Sequence, residues 1–154
     1  YFTIYEIQDK ERFFANAQSW LMPNGTLVVH LVEREKFDPA LPPGNLSPGI
    51  LWGGGTTNKQ LQGQTKIDFA EFTYVSNFTT PNTDRDDRCR MTEKFMLVEQ
   101  PKTRVHERIL FIPPIQSIVS AASRHNFKVT QIVEMDTCSY DYQYLYFFSK
   151  QGRN

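Results

Sequence analysis

Apolar residues recur along the chain with two different periods. Phe13, Phe14, Ala17, Trp20 and Leu21 fall at i, i+1, i+4, i+7 and i+8, which predicts one helical stripe. Asp9 precedes it as an N-cap, since its carboxylate can accept from first-turn N–H groups. Pro23-Asn24-Gly25 then stops the helix and turns the chain. Thr26-Leu27-Val28-Val29-His30-Leu31-Val32 is an almost unbroken β-branched run. It predicts a strand covered on both faces, as in a parallel sheet beneath helices. Tyr1 to Tyr5, apolar and β-prone, predicts the tail of an earlier strand.

Residues 37–64 lose this order. Pro39, Pro42, Pro43, Pro48 and six glycines predict a long surface loop. Residues 66–112 predict an antiparallel meander of three strands, marked by Ile67, Phe69, Phe72 and Tyr74, by Met91, Phe95 and Leu97, and by Val105, Ile109 and Phe111. Pro113-Pro114 opens a second helix, with Ile115, Ile118, Val119 and Ala122 as its buried stripe and Asn126 as its left-handed close. Val129–Met135 and Tyr142–Ser149 predict two more strands. The fold class expected is α/β, a single domain in which residues 1–36 and 113–150 form the core and 66–112 are an antiparallel insertion.

Composition narrows the function classes. The 154 residues carry 17 basic and 17 acidic side chains, and this balance argues against a basic nucleic-acid face or an electrostatic membrane binder. No run of about 18 apolar residues is present, so no membrane span is expected. Two cysteines, Cys89 and Cys138, are too few for a disulfide scaffold. With no signal peptide in view, a cytoplasmic protein is expected. The chain opens on Tyr1 rather than Met, as a processed terminus or the edge of a fragment does.

Local motifs give little chemistry. Gly53-Gly54-Gly55-Thr56-Thr57 lacks the Lys-Ser/Thr ending of a phosphate loop. Asn82, Asp84, Asp86 and Glu93 have calcium-loop spacing, but Asp87 stands where the loop's glycine belongs. His30, His106 and His125 have no metal-ligand spacing, so no metal is expected. His30 is either a hydrogen-bonded core histidine or, being near the carboxyl end of its strand, a pocket residue. The aromatic strand Tyr140–Phe148 suits sheet packing better than base stacking.

Three junctions carry a family resemblance. Trp20-Leu21-Met22-Pro23-Asn24-Gly25-Thr26-Leu27-Val28-Val29 resembles the Leu-x-Pro-Gly-Gly turn that feeds the fifth strand of class I S-adenosylmethionine-dependent methyltransferases, with Asn24 in place of a glycine. Ser123-Arg124-His125-Asn126-Phe127-Lys128-Val129 is similar to that family's exit from the last helix into the sixth strand. Tyr142-Gln143-Tyr144-Leu145-Tyr146-Phe147-Phe148 is similar to its last, antiparallel strand. The stretch His30–Pro39 also resembles a methyltransferase-like subgroup seen in large DNA viruses and marine sequences.

The resemblance implies a partial Rossmann-like sheet, its last strands and two helices, and S-adenosylmethionine as cofactor. It also implies that the glycine-rich cofactor turn is absent here, so that the chain is a carboxyl-terminal half, inactive by itself, or a non-catalytic module derived from one. By position in the family, Phe2 and Thr3 would lie at the cofactor. Tyr5, His30, Arg34 and Asp38 would face the acceptor. The same residues suit strand-end packing and surface pairing. No residue is singled out as catalytic. A sheet cut in this way leaves a bare edge, so the expected partner is a missing amino-terminal half, or a second copy of the chain in a dimer.

Overall fold

The structure is a computed structural model describing residues 3–36, 56–61, 64–80, 86–136 and 142–152. Of the residues named above, Tyr1, Phe2, Asp38, the prolines from Pro39 to Pro48, the Gly53–Gly55 run, Asn82, Asp84, Cys138 and Tyr140 lie outside the described residues. The chain divides into two compact units, Tyr1–Phe37 with Leu110–Asn154, and Asp38–Ile109.

The first unit begins with a correction. Thr3–Glu6 form one helical turn, α1, not the tail of a strand. Ile4 and Tyr5 are both buried. Adjacent residues of a strand point to opposite faces, whereas a helical turn lets both face inward. Helix α2 (Lys10–Trp20) starts at Asp9, whose carboxylate accepts from the Arg12 N–H at 2.9 Å. Its stripe is narrower than expected: Phe14 and Ala17 are buried, but Trp20 is 76% exposed. Lys150 donates to the carbonyls of Gln18 and Leu21 at 2.6 Å each, placing a cation at the negative end of the helix.

Three strands follow in this unit: β1 (Thr26–Val32), and later in the chain β7 (Phe127–Glu134) and β8 (Gln143–Lys150). Their order is β1-β8-β7, and β8 runs antiparallel to both neighbours. β1 and β7 are therefore parallel to each other. This corrects the expectation for β1, whose hydrogen-bonded neighbour is antiparallel and whose Val28 is 48% exposed. Helix α3 (Ile115–Arg124) buries Ile118, Ala121 and Ala122 and packs against α2 and β7. Phe14 meets Phe127 and Phe148 with ring centroids 6.1 and 5.9 Å apart, so α2 covers the same sheet face. Asn24 and Asn126 hold φ of 63° and 61°, the left-handed conformation that asparagine tolerates.

The second unit is built on a five-stranded sheet, β2 (Thr56–Leu61), β3 (Gln64–Asp68), β4 (Phe72–Thr79), β5 (Arg88–Leu97) and β6 (Thr103–Phe111), in that order. The successive pairings from β2 to β5 are antiparallel. Two expectations are corrected. β2 lies inside the stretch read as loop, and the strand expected over Ile67–Tyr74 is two strands. The Phe69 N–H donates to the Phe72 carbonyl at 2.9 Å, and the two rings stack at 4.5 Å, closing a turn between them. Period-2 burial follows, with Ser76 and Phe78 buried and Asn77 and Thr79 exposed. Of the apparent calcium-loop acids, the described Asp86 and Glu93 are engaged otherwise. Asp86 pairs with Arg88 at 3.0 Å. Glu93 accepts from Tyr74 and Arg108, both at 2.9 Å.

Candidate functional site

Parallel strands end at one edge of a sheet, and open α/β sheets place their ligands beyond that edge. β1 and β7 both end at a cleft of about 480 Å³. Val32 and the turn Glu33-Arg34-Glu35 form one wall, and Ile132 and Glu134 at the end of β7 form another. Pro114, Ile115 and Gln116 enter from the start of α3. Tyr144 and Tyr146 complete the lining, because β8 is antiparallel and so begins where its neighbours end. All of these residues belong to the first unit.

The register brings the central side chains into rows. Tyr144 stands opposite Leu31 of β1 and Glu134 of β7, and Tyr146 stands opposite Val29 and Ile132. Directly opposite residues share a face of the sheet. The two tyrosine rings lie 6.4 Å apart at 81°, a corner rather than a flat stack. Burial, followed by the carboxylates Glu33 and Glu134, pushes the Tyr144 hydroxyl pKa up. Burial, followed by Tyr144 and Glu33, does the same for Tyr146. Both hydroxyls therefore stay protonated at neutral pH and can donate as well as accept. Arg34 is buried, and its guanidinium holds Glu35 Oε1 from Nε at 3.0 Å and from Nη2 at 2.9 Å. Lys36 lies 3.3 Å from Glu33 and 5.5 Å from the centre of the Tyr142 ring.

The residues singled out from sequence fall in different places. Arg34 lines the cleft. Tyr5 is fully buried and supports its floor: the Tyr5 hydroxyl accepts from the Val32 N–H at 2.7 Å. Burial pushes the Tyr5 hydroxyl pKa up, outweighing the Val32 hydrogen bond. His30 is half-buried opposite Leu145 and does not line the cleft. Thr3 is the exposed first residue of α1. Sequence reasoning missed Glu134, Tyr144, Tyr146 and Gln116. The signal for the tyrosines was their i, i+2 spacing at the start of a strand, which puts both on one face.

The lining holds no imidazole or thiol, and no group of three His, Cys, Asp or Glu side chains is placed to hold a metal among the described residues. The arrangement is suited to binding and orienting a ligand through hydroxyls, carboxylates and an aromatic corner. No helix among the described residues is long and apolar enough to cross a membrane.

No protein-family model matches the chain, and no curated protein is similar to it in sequence. Solved structures do resemble it. An S-adenosylmethionine-dependent methyltransferase from Clostridium acetobutylicum matches with a TM-score of 0.64 at 13% identity, over 98% of this chain and 56% of that one. The CcbJ methyltransferase from Streptomyces caelestis matches with a TM-score of 0.60 at 12% identity, over 99% and 55%. An amino pentose methyltransferase of calicheamicin biosynthesis from Micromonospora echinaspora, solved with S-adenosylmethionine bound, matches with a TM-score of 0.56 at 16% identity, over 98% and 56%. The chain thus spans a little over half the length of the solved structures it matches, and what it shares with them is a methyltransferase fold.

Proposed function

We propose that this chain is the carboxyl-terminal, acceptor-side portion of an S-adenosylmethionine-dependent methyltransferase, of the kind seen in large DNA viruses and marine sequences. The observation that carries the reading is the cleft beyond the ends of β1 and β7, in a chain whose fold is that of methyltransferases. The acceptor would lie against Arg34 and the tyrosine corner, above the strand end that Tyr5 anchors.

S-adenosylmethionine supplies an activated methyl group when bound, but the described residues do not form its cradle. Such a cradle needs glycines that let backbone approach the nucleoside, after one strand, and an acid at the end of the next. The two described glycines stand elsewhere. Gly25 is packed against the Met22 carbonyl between α2 and β1, and Gly152 lies past β8 in open space. The alternative reading is a non-catalytic binding or structural module derived from a methyltransferase half-fold.

Equilibrium dialysis of tritiated S-adenosylmethionine separates the two. The full product of the gene encoding this chain is compared with residues 1–154 alone. Retention by the full product supports the enzyme reading. Retention by neither makes the non-catalytic module the working one. On either reading the outer edge of β1, which pairs with no strand among the described residues, would be the place for a partner, an amino-terminal half or a second copy, because unpaired strand edges recruit other strands. Light scattering of residues 1–154 is expected to show a dimer at concentrations of tens of micromolar, about the range of weak association; a clean monomer would count against self-pairing.

A further inference from the structure

Charge is distributed unevenly around the cleft. Glu33, Glu35 and Glu134 line it, against Arg34 as the one cationic lining residue among those described. The Arg34 guanidinium pairs with Glu35. The Glu134 carboxylate makes no ion pair among the described residues, and it stands directly opposite Tyr144 in the sheet. The tyrosine hydroxyls stay protonated, so the fixed charge of the lining is that of three carboxylates against the one guanidinium of Arg34. An anionic ligand would meet repulsion there. A neutral polyol would find hydrogen bonds but leave the negative charge uncompensated.

The chain itself shows what such a surface accepts. Beside the lining residue Glu33, the Lys36 ammonium lies 3.3 Å from the Glu33 carboxylate and 5.5 Å from the centre of the Tyr142 ring. Carboxylate and aromatic ring act on one cation there, the first by charge and the second by its quadrupole. Glu134, exposed at the end of β7, stands opposite Tyr144 with the Tyr144–Tyr146 corner beside it; Lys36 also acts on the Tyr144 hydroxyl, but no cation pairs with Glu134 among the described residues. Ile115 and Ile132 add apolar wall beside it, which suits the hydrocarbon carrying a charged head.

We propose that the cleft binds an organic ammonium group, seated between the Glu134 carboxylate and the Tyr144–Tyr146 ring pair, with its hydrocarbon body against Ile115 and Ile132. The proposal rests on the reading of this cleft as an acceptor site and narrows it to amine-bearing molecules. Lys36, which acts on the same Tyr144 hydroxyl, is then a competitor and not a ligand-binding group.

The test is a titration of residues 1–154, carrying 13C-labelled isoleucine methyl groups, with three probes of one shape: cyclohexylammonium, cyclohexanol and cyclohexanecarboxylate. Saturable shifts of the Ile115 and Ile132 methyls are expected with the ammonium. Its affinity should exceed that of the alcohol by about tenfold, the size of one screened ion pair with a cation–π contact, and should fall as salt is raised. The carboxylate should bind more weakly than the alcohol. Glu134→Gln should bring ammonium and alcohol to within about threefold, and Lys36→Met should strengthen ammonium binding. Equal affinity for ammonium and alcohol in the parent chain would overturn the ammonium assignment and leave the cleft as an acceptor site. Absence of saturable shifts with every probe would overturn both. An ammonium preference that survives Glu134→Gln unchanged would show that the seat is not the one described.

Discussion

Tyr5→Phe removes a single oxygen from the floor of the cleft. The ring remains, so no cavity opens, and Tyr5 is fully buried, so no water replaces the hydroxyl. What is lost is the acceptor for the Val32 N–H, held at 2.7 Å in the parent. Val32 is itself 1% exposed, so its amide is left buried without a partner. An unmet buried donor costs about 1–3 kcal/mol. With a urea slope of roughly 2 kcal/mol/M for a chain of this size, the unfolding midpoint should fall by on the order of 1 M, with the slope unchanged. Native-state hydrogen exchange gives the local readout: the Val32 amide should exchange faster in the variant, while amides of α3 keep the protection that their share of the global stability allows. A midpoint within about 0.1 M of the parent, well inside the error of such extrapolations, would refute the reasoning. The hydroxyl would then not be holding the end of β1, and α1 would not be the support of the cleft.

Three further outcomes follow from the structure. Gly25→Ala would put a Cβ 2.9 Å from the Met22 carbonyl oxygen and 3.3 Å from Leu21 Cβ; because one neighbour is backbone, the cost should be about 1–3 kcal/mol by thermal unfolding, and a loss below about 0.5 kcal/mol would contradict it. Tyr5, Tyr74, Tyr144 and Tyr146 all hold their protons above the ordinary 10.0, and burial followed by Glu93 pushes Tyr74 up to about 12. The unfolded chain ionises these groups near the ordinary value while the folded chain does not. Their stabilisation is therefore complete below about pH 10 and lost as pH climbs through 10 toward 12; Tyr74→Phe should flatten that decline, and an unaltered alkaline slope would argue against it. Cys89 is 1% exposed, so in a Cys138→Ser background its thiol should react with a disulfide reagent only as fast as the protein opens, and prompt labelling of the native state would contradict its burial.

Local chemistry that fixes a backbone conformation was legible in the sequence. Asn24 and Asn126, read as stand-ins for glycine, both hold positive φ, the left-handed conformation that commonly closes a helix and that asparagine tolerates. The cap at Asp9 was legible for the same reason. Elements decided by distant contacts were not. Residues 3–6 have strand composition but fold as a helical turn, since burying Ile4 and Tyr5 together outweighs their propensity. β2 is polar, Thr-Thr-Asn-Lys-Gln-Leu, and carries no hydrophobic period to read. The turn after Phe69 did leave a trace: Ile67 and Phe69 are odd-numbered, Phe72 and Tyr74 even-numbered, and that slip in a period of two is what a tight turn produces.

The cleft was the least legible feature because no stretch of sequence contains it. Its residues come from the turn after β1, the start of α3, the end of β7 and the start of β8, segments separated by up to about a hundred positions in the chain. Sheet topology collects them. With β8 parallel to its neighbours, Tyr144 and Tyr146 would stand at the opposite edge, beside Thr26 and Phe127, and the carboxyl ends of β1 and β7 would meet Ser149 and Lys150 instead. Running β8 in the opposite sense delivers an aromatic corner to the edge where Glu33, Arg34 and Glu134 already lie. The reversed last strand thus sets the chemistry of the site as well as closing the sheet: variation at position 144 should alter ligand preference with little effect on the core, whereas variation at 146 should also disturb Phe148, on which the Tyr146 ring stacks at 6.1 Å.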